Sequence, residues 1–395
     1  MADSLSVEMD VSSQKIGQER ERIATVQLCF STVFFGVSFI GQKAAMEEGI
    51  GPLTYTACRF LVSTILLLLF QPIANVIFHS QVDVADSTGT GSSPTRMFSE
   101  LFKWAGLCGI TSFGGSNLQQ IGLNTVTAGK AAFITGMYVV FVPIVEFVLP
   151  GFGQQLNWRI WVSAGVSLLG MFFLSGGFSD ADFWSAGDVL MSGEMIVFIS
   201  MLFGVVSIIS ADVGTKRGVD GISFTIVEFS VSTVLSITMA LIFESESFQY
   251  PFHKITGAWK MILLVGFTEG ISFLFATLGQ MYTNPSKAAL IFSLESVTAA
   301  FGAYLCLGEK LNYTELFGCF LMLAAAVLCT YQPNTESSDE LTEIKSNDDV
   351  DNSNSDDDEI QLMSNTNVPI YKHWTNIPIN YTPVLQSETE CLKKV

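Results

Sequence analysis

Ten stretches of about 20 mostly apolar residues recur along this chain, each roughly the length a helix needs to cross the hydrocarbon core of a bilayer. They run roughly over Ala24–Met46, Leu53–Phe78, Leu101–Ile121, Ala131–Leu149 and Ile160–Gly176, then Val189–Ser210, Ile222–Phe243, Trp259–Met281, Ala288–Leu307 and Thr314–Tyr331. The stretches near 160 and 314 are the shortest, so eight or nine spans remain alternatives to ten. A soluble chain of 395 residues would form two or three domains, but 49% hydrophobic residues, 14% charged residues and a mean hydropathy of +0.44 point to an all-α polytopic membrane protein.

The flanks differ in kind. Residues 1–22 are polar and lack an apolar signal core, so the first helix is expected to act as an uncleaved start signal. From Pro333 to Val395 there are 13 acidic residues against four lysines, a net charge of −9 and half of the chain's −18. That acidic tail, 333–395, reads as disordered and solvated, and its charge argues against nucleic acid or anionic lipid as a partner.

Catalytic chemistry finds little support. Cys29, Cys58, Cys108, Cys306, Cys319, Cys329 and Cys391 form no CxxC pair, and six of the seven fall inside predicted helices, where cysteine packs as a small apolar residue. His79, His253 and His373 lie at helix edges or in the tail, and no metalloprotease, phosphate-loop, nucleophile-elbow or dinucleotide motif occurs. Gly187-Asp188 would suit an intramembrane protease only with a second membrane aspartate, and none is convincing. The expectation is a non-enzyme with no cofactor and no metal.

The chain repeats itself. "KAAFI" at Lys130–Ile134 returns as "KAALI" at Lys287–Ile291, and the same offset of 157 pairs Gly109 with Gly266 and Gly122 with Gly279. Leu156-Asn157 likewise matches Leu311-Asn312, and Phe35-Gly36-Val37 resembles Phe203-Gly204-Val205. This is a duplication of five helices, with repeats over 23–178 and 187–332. An odd number of crossings per half starts the second half on the opposite face, so the copies are inverted, the architecture of alternating-access carriers. With the N-terminus inside, nine cationic residues are cytoplasmic against six outside, a small positive-inside bias.

Charges inside such helices carry the functional reading. Glu295 sits mid-way along what reads as one apolar helix, with Ala288, Phe292, Ala299 and Gly302 at helical spacing around it. A mid-membrane charge costs at least about 2.5–3.5 kcal/mol, so Glu295 is expected to face a cavity or a partner helix. On the second helix Thr56, Arg59 and Ser63 share a face; at an offset of 169 the seventh carries Thr225, Glu228 and Ser232. Arg59 and Glu228 therefore either face a common central cavity, pairing or holding a ligand, or Arg59 snorkels to the interface from about 10 Å inside its helix. Glu269 is a further buried carboxylate, and Glu269 and Glu295 are the candidates to carry a coupling proton. Ser38 on the first helix, Asn117, Gln119 and Gln120 on the third, and Tyr138 on the fourth add neutral polar groups, while Glu146 and Glu194 lie nearer helix ends.

The runs "TVTAGKAAFITGMYVVFVPIVEFVL", "NPSKAALIFSLESVTAAFGAYLCLGEKLNYTELFGCFLMLAAAV" and "FFGVSFIGQKAAMEEGIGPLTYTACRFLVS" resemble, in order, the fourth, the ninth and tenth, and the first two helices of EamA-type carriers of the drug/metabolite transporter superfamily. The resemblance covers about Ala24–Tyr331. It implies ten helices in two inverted halves, cytosolic termini, a central cavity, Glu295 at the family's Leu-Glu-Pro glutamate and Arg59 at its second-helix arginine. Ser296 stands where the family has proline, which would straighten the ninth helix, and Phe35 stands where many members have tryptophan.

The tail also holds "DEIQLM", Asp358–Met363, with Leu362 and Met363 as its apolar pair, and "YTPV", Tyr381–Val384. These resemble acidic dileucine-type and tyrosine-based sorting signals, and imply a sorting adaptor as partner and an endomembrane, vacuolar or plasma membrane location. The expected partners are a small-molecule solute and the lipid bilayer, with a second copy of the chain as a further one. The leading expectation is a secondary transporter of a small polar organic metabolite, amino-acid-like or related. A nucleotide-sugar or organic-phosphate antiporter is the alternative within transport, and a receptor or structural membrane protein the alternative outside it.

Overall fold

The structure is a computed structural model that describes residues 2–77, 94–126, 128–149, 158–175, 193–244, 251–307 and 312–330. The sorting motifs around Asp358, Leu362, Met363, Tyr381 and Val384 lie outside the described residues. Those residues form twelve helices and no strand: α1 Ala2–Glu47, α2 Pro52–Ile77, α3 Pro94–Gly122, α4 Ala128–Gly136, α5 Tyr138–Val148, α6 Trp158–Leu174, α7 Gly193–Lys216, α8 Gly221–Phe243, α9 Pro251–Gln280, α10 Pro285–Phe292, α11 Glu295–Leu307 and α12 Tyr313–Thr330. The polar N-terminal segment is helical with α1, there being no proline before Pro52 to end it.

Among the described residues seven helices are long and apolar enough to cross a membrane, against the ten stretches read from the sequence. Three fall short for separate reasons. α6 has 17 residues. α3 has 29 but is loaded with polar groups from Thr111 to Gln120. The predicted ninth helix is divided into α10 and α11.

The polarity of the bundle suits lipid. Large apolar side chains such as Leu69, Val76, Phe147 and Phe320 stand exposed, while Ser31, Thr56, Arg59, Ser63, Glu228 and Ser232 are almost fully enclosed. An interior richer in polar groups than the surface is stable only where the surroundings are hydrocarbon. This is an integral multi-pass membrane protein.

The helix contacts obey the same exchange as the sequence. α1 packs on α9 as α7 packs on α3; α2 on α9 as α8 on α3; and α2 packs on its own counterpart α8. The correspondence reaches single bonds. Ser63 Oγ donates to the carbonyl oxygens of Arg59 (2.9 Å) and Gly266 (2.7 Å), and Ser232 Oγ to those of Glu228 (2.9 Å) and Gly109 (2.9 Å). The hydroxyls of Thr64 and Thr233, 169 residues apart, meet at 2.8 Å, and the rings of Phe60 and Phe229 meet edge to face at 5.5 Å. Two pairs of residues at the offset of 169 thus touch each other where α2 meets α8.

One junction breaks the correspondence. Asp220 caps its own helix α8, accepting from Ile222 N (3.4 Å) and Ser223 N (2.8 Å). Its counterpart is Gly51, and there the carboxylate of Glu244, at the far end of α8, reaches across to cap α2 through Leu53 N (3.1 Å), Thr54 N (2.9 Å) and Thr54 Oγ1 (2.7 Å).

Glycine at 109 and 266 is what lets backbones approach this closely. A Cβ at Gly109 would lie 2.7 Å from the Glu228 carbonyl oxygen and 2.8 Å from Val231 Cβ, whereas at Gly106, on another face of α3, it would meet nothing within 4 Å. Gly109→Ala is therefore expected to cost about 1–3 kcal/mol and lower the thermal unfolding midpoint of the purified protein by several degrees. Gly106→Ala should leave it unchanged or slightly raised. Equal midpoints for the two variants would refute this account of the crossing.

Candidate functional site

A cavity of about 190 Å³ lies between helices of both halves, and Arg59, Glu228, Glu269, Glu295 and Tyr138 all line it. Gln119 does too, its amide nitrogen 3.4 Å from Thr135 Oγ1. The remaining polar groups read from the sequence lie outside the wall. Ser38 is buried behind it and accepts from Gln42 Nε2 (3.2 Å). Asn117 donates to Phe113 O (2.8 Å) and Ser236 Oγ (3.2 Å), joining α3 to α8, and Gln120 is fully buried without a partner among the described residues. Glu146 is held at the end of α5 by the hydroxyl of Ser286.

Arg59 does not snorkel: it is 1% exposed. Its Nη1 lies 3.0 Å from Glu269 Oε1, and its guanidinium carbon sits 5.7 Å from the Tyr55 ring centre and 5.3 Å from that of Phe60. Two charges removed from water hold each other here, helped by the ring faces. Its partner is Glu269 rather than Glu228.

Glu228 accepts instead from Ser112 Oγ at 2.7 Å, and Ser112 in turn lies 3.2 Å from Ser207 Oγ, with Cys108 Sγ 3.1 Å from the same hydroxyl. Ser112 is the counterpart of Glu269 at the offset of 157, just as Glu228 is the counterpart of Arg59. One site has thus been built twice, as arginine on glutamate in one half and glutamate on serine in the other. The role of Ser112 could have been found by carrying the repeat offset through from Glu269.

Glu295 is not in the middle of a helix. α10 ends at Phe292 and α11 begins at Glu295, so the carboxylate stands at a helix start, where backbone N–H groups favour negative charge. The break does not need the proline that Ser296 replaces. The chain tightens into i→i−3 bonds, Leu294 N to Ile291 O (3.0 Å) and Ser296 N to Ser293 O (3.3 Å), while Ser293 Oγ caps Leu290 O (2.7 Å). The counterpart turn behaves alike: Met137 N bonds Ile134 O (3.2 Å), Val140 N bonds Met137 O (2.9 Å), and α5 starts at Tyr138. Glu295 and Tyr138, 157 residues apart, are thus matching first residues of two half-helices facing one cavity.

Arg59 is the one cation among the described lining residues, against three carboxylates. Removing one partner of its pair strands the other: Arg59→Met and Glu269→Met are each expected to cost about 3–5 kcal/mol. The double variant should cost less than either, read as thermal unfolding midpoints. A double variant that loses as much as the two singles summed would show that the pair is not coupled.

Comparisons with known proteins agree with this arrangement. The chain matches the EamA-like transporter family over residues 22–176 and 191–331. It is 26% identical over 330 residues to an uncharacterized transporter of Archaeoglobus fulgidus, covering 82% of this chain and 91% of that protein. A protein of known crystal structure superposes with a TM-score of 0.58 at 15% identity, over 80% of this chain and 98% of that one, a likeness of fold. Matched over both of these stretches, the chain is a membrane protein of the EamA-like transporter family.

Proposed function

We propose that the protein is a secondary transporter that carries a small polar organic metabolite, amino-acid-like in size and in bearing an ammonium group, by alternating access through ten spans arranged as two inverted halves. The observation that carries this reading is the pair of matching helix breaks at Met137 and Leu294, each presenting its next residue, Tyr138 or Glu295, to one cavity. Discontinuous helices at a repeat interface place polar side chains and half-helix ends where a solute can be held midway across a bilayer. Mirrored bonds at Ser63 and Ser232 support equivalent halves, and equivalent halves can trade inward-facing and outward-facing shapes.

The nucleotide-sugar or organic-phosphate reading is weaker. Phosphate recognition wants free cationic donors, and the lining guanidinium is engaged by Glu269. Proton coupling through Glu295 or Glu269, cytosolic termini, an endomembrane or plasma-membrane location, adaptor recognition of the tail and pairing with a second copy complete the proposal.

Proteoliposomes holding the purified protein and offered labelled pools of amino acids, amines, organic phosphates and nucleotide sugars should take up one nitrogen-bearing pool saturably. An imposed proton gradient should raise that uptake, and Glu295→Gln should lower it at least ten-fold. Uptake that ignores both the gradient and the substitution would leave a facilitative carrier with a structural glutamate. Saturable flux of the phosphate pool alone would favour the antiporter, and no flux of any pool would favour a receptor.

A further inference from the structure

We propose that the cavity is an ammonium site: its ligand is an organic molecule with a primary or secondary ammonium group held by Glu295 against an aromatic wall of Phe35, Phe273 and Phe292. This rests on the transporter reading and specifies what is bound. Three features carry it. The first is charge. Arg59 is matched by Glu269 at 3.0 Å, so the carboxylates of Glu228 and Glu295 are left in the cavity without a cation, Glu228 bonded by the Ser112 hydroxyl and the Cys108 thiol and Glu295 without a side-chain partner among the described residues. A site with two uncompensated carboxylates favours a cation and disfavours an anion.

The second is hydrogen-bonding capacity. Gln42 Oε1, Glu269 Oε2, Gln280 Oε1 and the Tyr138 hydroxyl are buried in residues of the cavity wall and have no partner among the described residues. Three of these oxygens can only accept and the Tyr138 hydroxyl can accept or donate, against the unpartnered donor Arg59 Nε, a balance that favours a ligand bringing N–H groups. The third is the wall. Phe35 meets Phe273 edge to face at 5.1 Å and Phe292 at 6.2 Å, and all three line the cavity with Glu295. Aromatic rings lining the same cavity as a carboxylate suit an ammonium with an apolar body, which a phosphate would not use.

The test is ligand-induced stabilisation of the purified full-length protein, titrated at neutral pH with matched probes on two carbon skeletons. On the first they are 2-phenylethylamine, 2-phenylethanol and 3-phenylpropionate; on the second, butylamine, butanol and pentanoate. The ammonium member of each set should bind at least ten-fold tighter than its alcohol, with the carboxylate weakest, and N-trimethylation of the amine should weaken binding by removing its donors. Glu295→Gln should reduce the amine-to-alcohol preference below about three-fold, Glu295→Asp should restore it, and Phe35→Leu should weaken the amine several-fold while sparing the alcohol.

An alcohol or carboxylate that binds as well as the amine, a preference that survives Glu295→Gln in a folded variant, or no stabilisation by either amine would overturn the proposal. Its failure is separable from that of the carrier reading. Saturable uptake of a neutral or anionic pool without amine binding removes the ammonium site and keeps the carrier. Selective amine binding without flux of any pool keeps the site and removes the carrier.

Discussion

Helices in hydrocarbon gain nothing by burying apolar surface against one another, so this bundle depends on how closely its backbones approach. At two crossings Ser63 and Ser232 each donate a hydroxyl to a carbonyl of their own helix and to the carbonyl of a glycine on the neighbour, Gly266 or Gly109. Neither bond would reach if the facing residue had a side chain. The two crossings set α2 against α9 and α8 against α3, and Thr64 on Thr233 then fixes α2 against α8. Those four helices supply Arg59, Glu269, Glu228 and Ser112, so the placement of most of the cavity's charge follows from two glycines and two serines.

The same duplication explains why the charges are unequal. Symmetry of the backbone gives two equivalent positions facing inward from α2 and α8 and two more from α9 and α3. The side chains filling them have diverged: arginine with glutamate is internally neutral, and glutamate with serine is not. Matching backbone positions thus carry unlike side chains, and the unlike side chains at four positions set the charge of the cavity. Tyr138 and Glu295 repeat the pattern at the helix breaks, one half neutral and the other acidic.

Much of this was legible in the sequence, and the boundary of legibility is physical. Apolar runs reveal helices because the bilayer fixes their length, and an unbroken offset of 157 reveals the repeat because α3 and α4 were copied without insertion. Arg59, Glu228, Glu269 and Glu295 could be singled out because charge is scarce in apolar helices, and Tyr138 as a polar group near the start of the fourth. The breaks after Gly136 and Phe292 were not legible, because each is made by backbone bonds one residue shorter in reach rather than by proline or a positive-φ glycine. Glu269 as the partner of Arg59 was also missed: Glu228 is the counterpart by repeat, but partners are set by which helix crosses which. The aromatic wall escaped because Phe35, Phe273 and Phe292 are ordinary residues for a membrane helix until their rings meet.

The polar contacts between the halves differ in how far they are withdrawn from water. At one set of helix ends Lys287 Nζ lies 2.5 Å from Glu21 Oε1, Arg217 Nη1 lies 2.8 Å from Glu100 Oε2, and Ser286 holds Glu146. The pairs of Arg217 and Ser286 join the first half to the second, and that of Lys287 joins the second half to the segment before the first. The start of α2 is tied to the second half by Glu244, which binds the helix through two backbone N–H groups and one hydroxyl, and by apolar packing of Leu53 on Ala240 and of Tyr55 on Ile262. The pairs of Lys287 and Arg217 are only partly buried, so water can take over either partner at a cost of about 1 kcal/mol or less. Helix N–H groups freed from Glu244 also pass to water at little cost if that end opens to solvent, since Thr54 still follows Pro52 at the helix start. The buried pair of Arg59 and Glu269 has no such exit, because both members are enclosed. The Arg59–Glu269 and Ser63–Gly266 contacts are thus the enclosed polar ties between α2 and α9, whereas the pairs of Lys287 and Arg217 lie where water can reach them.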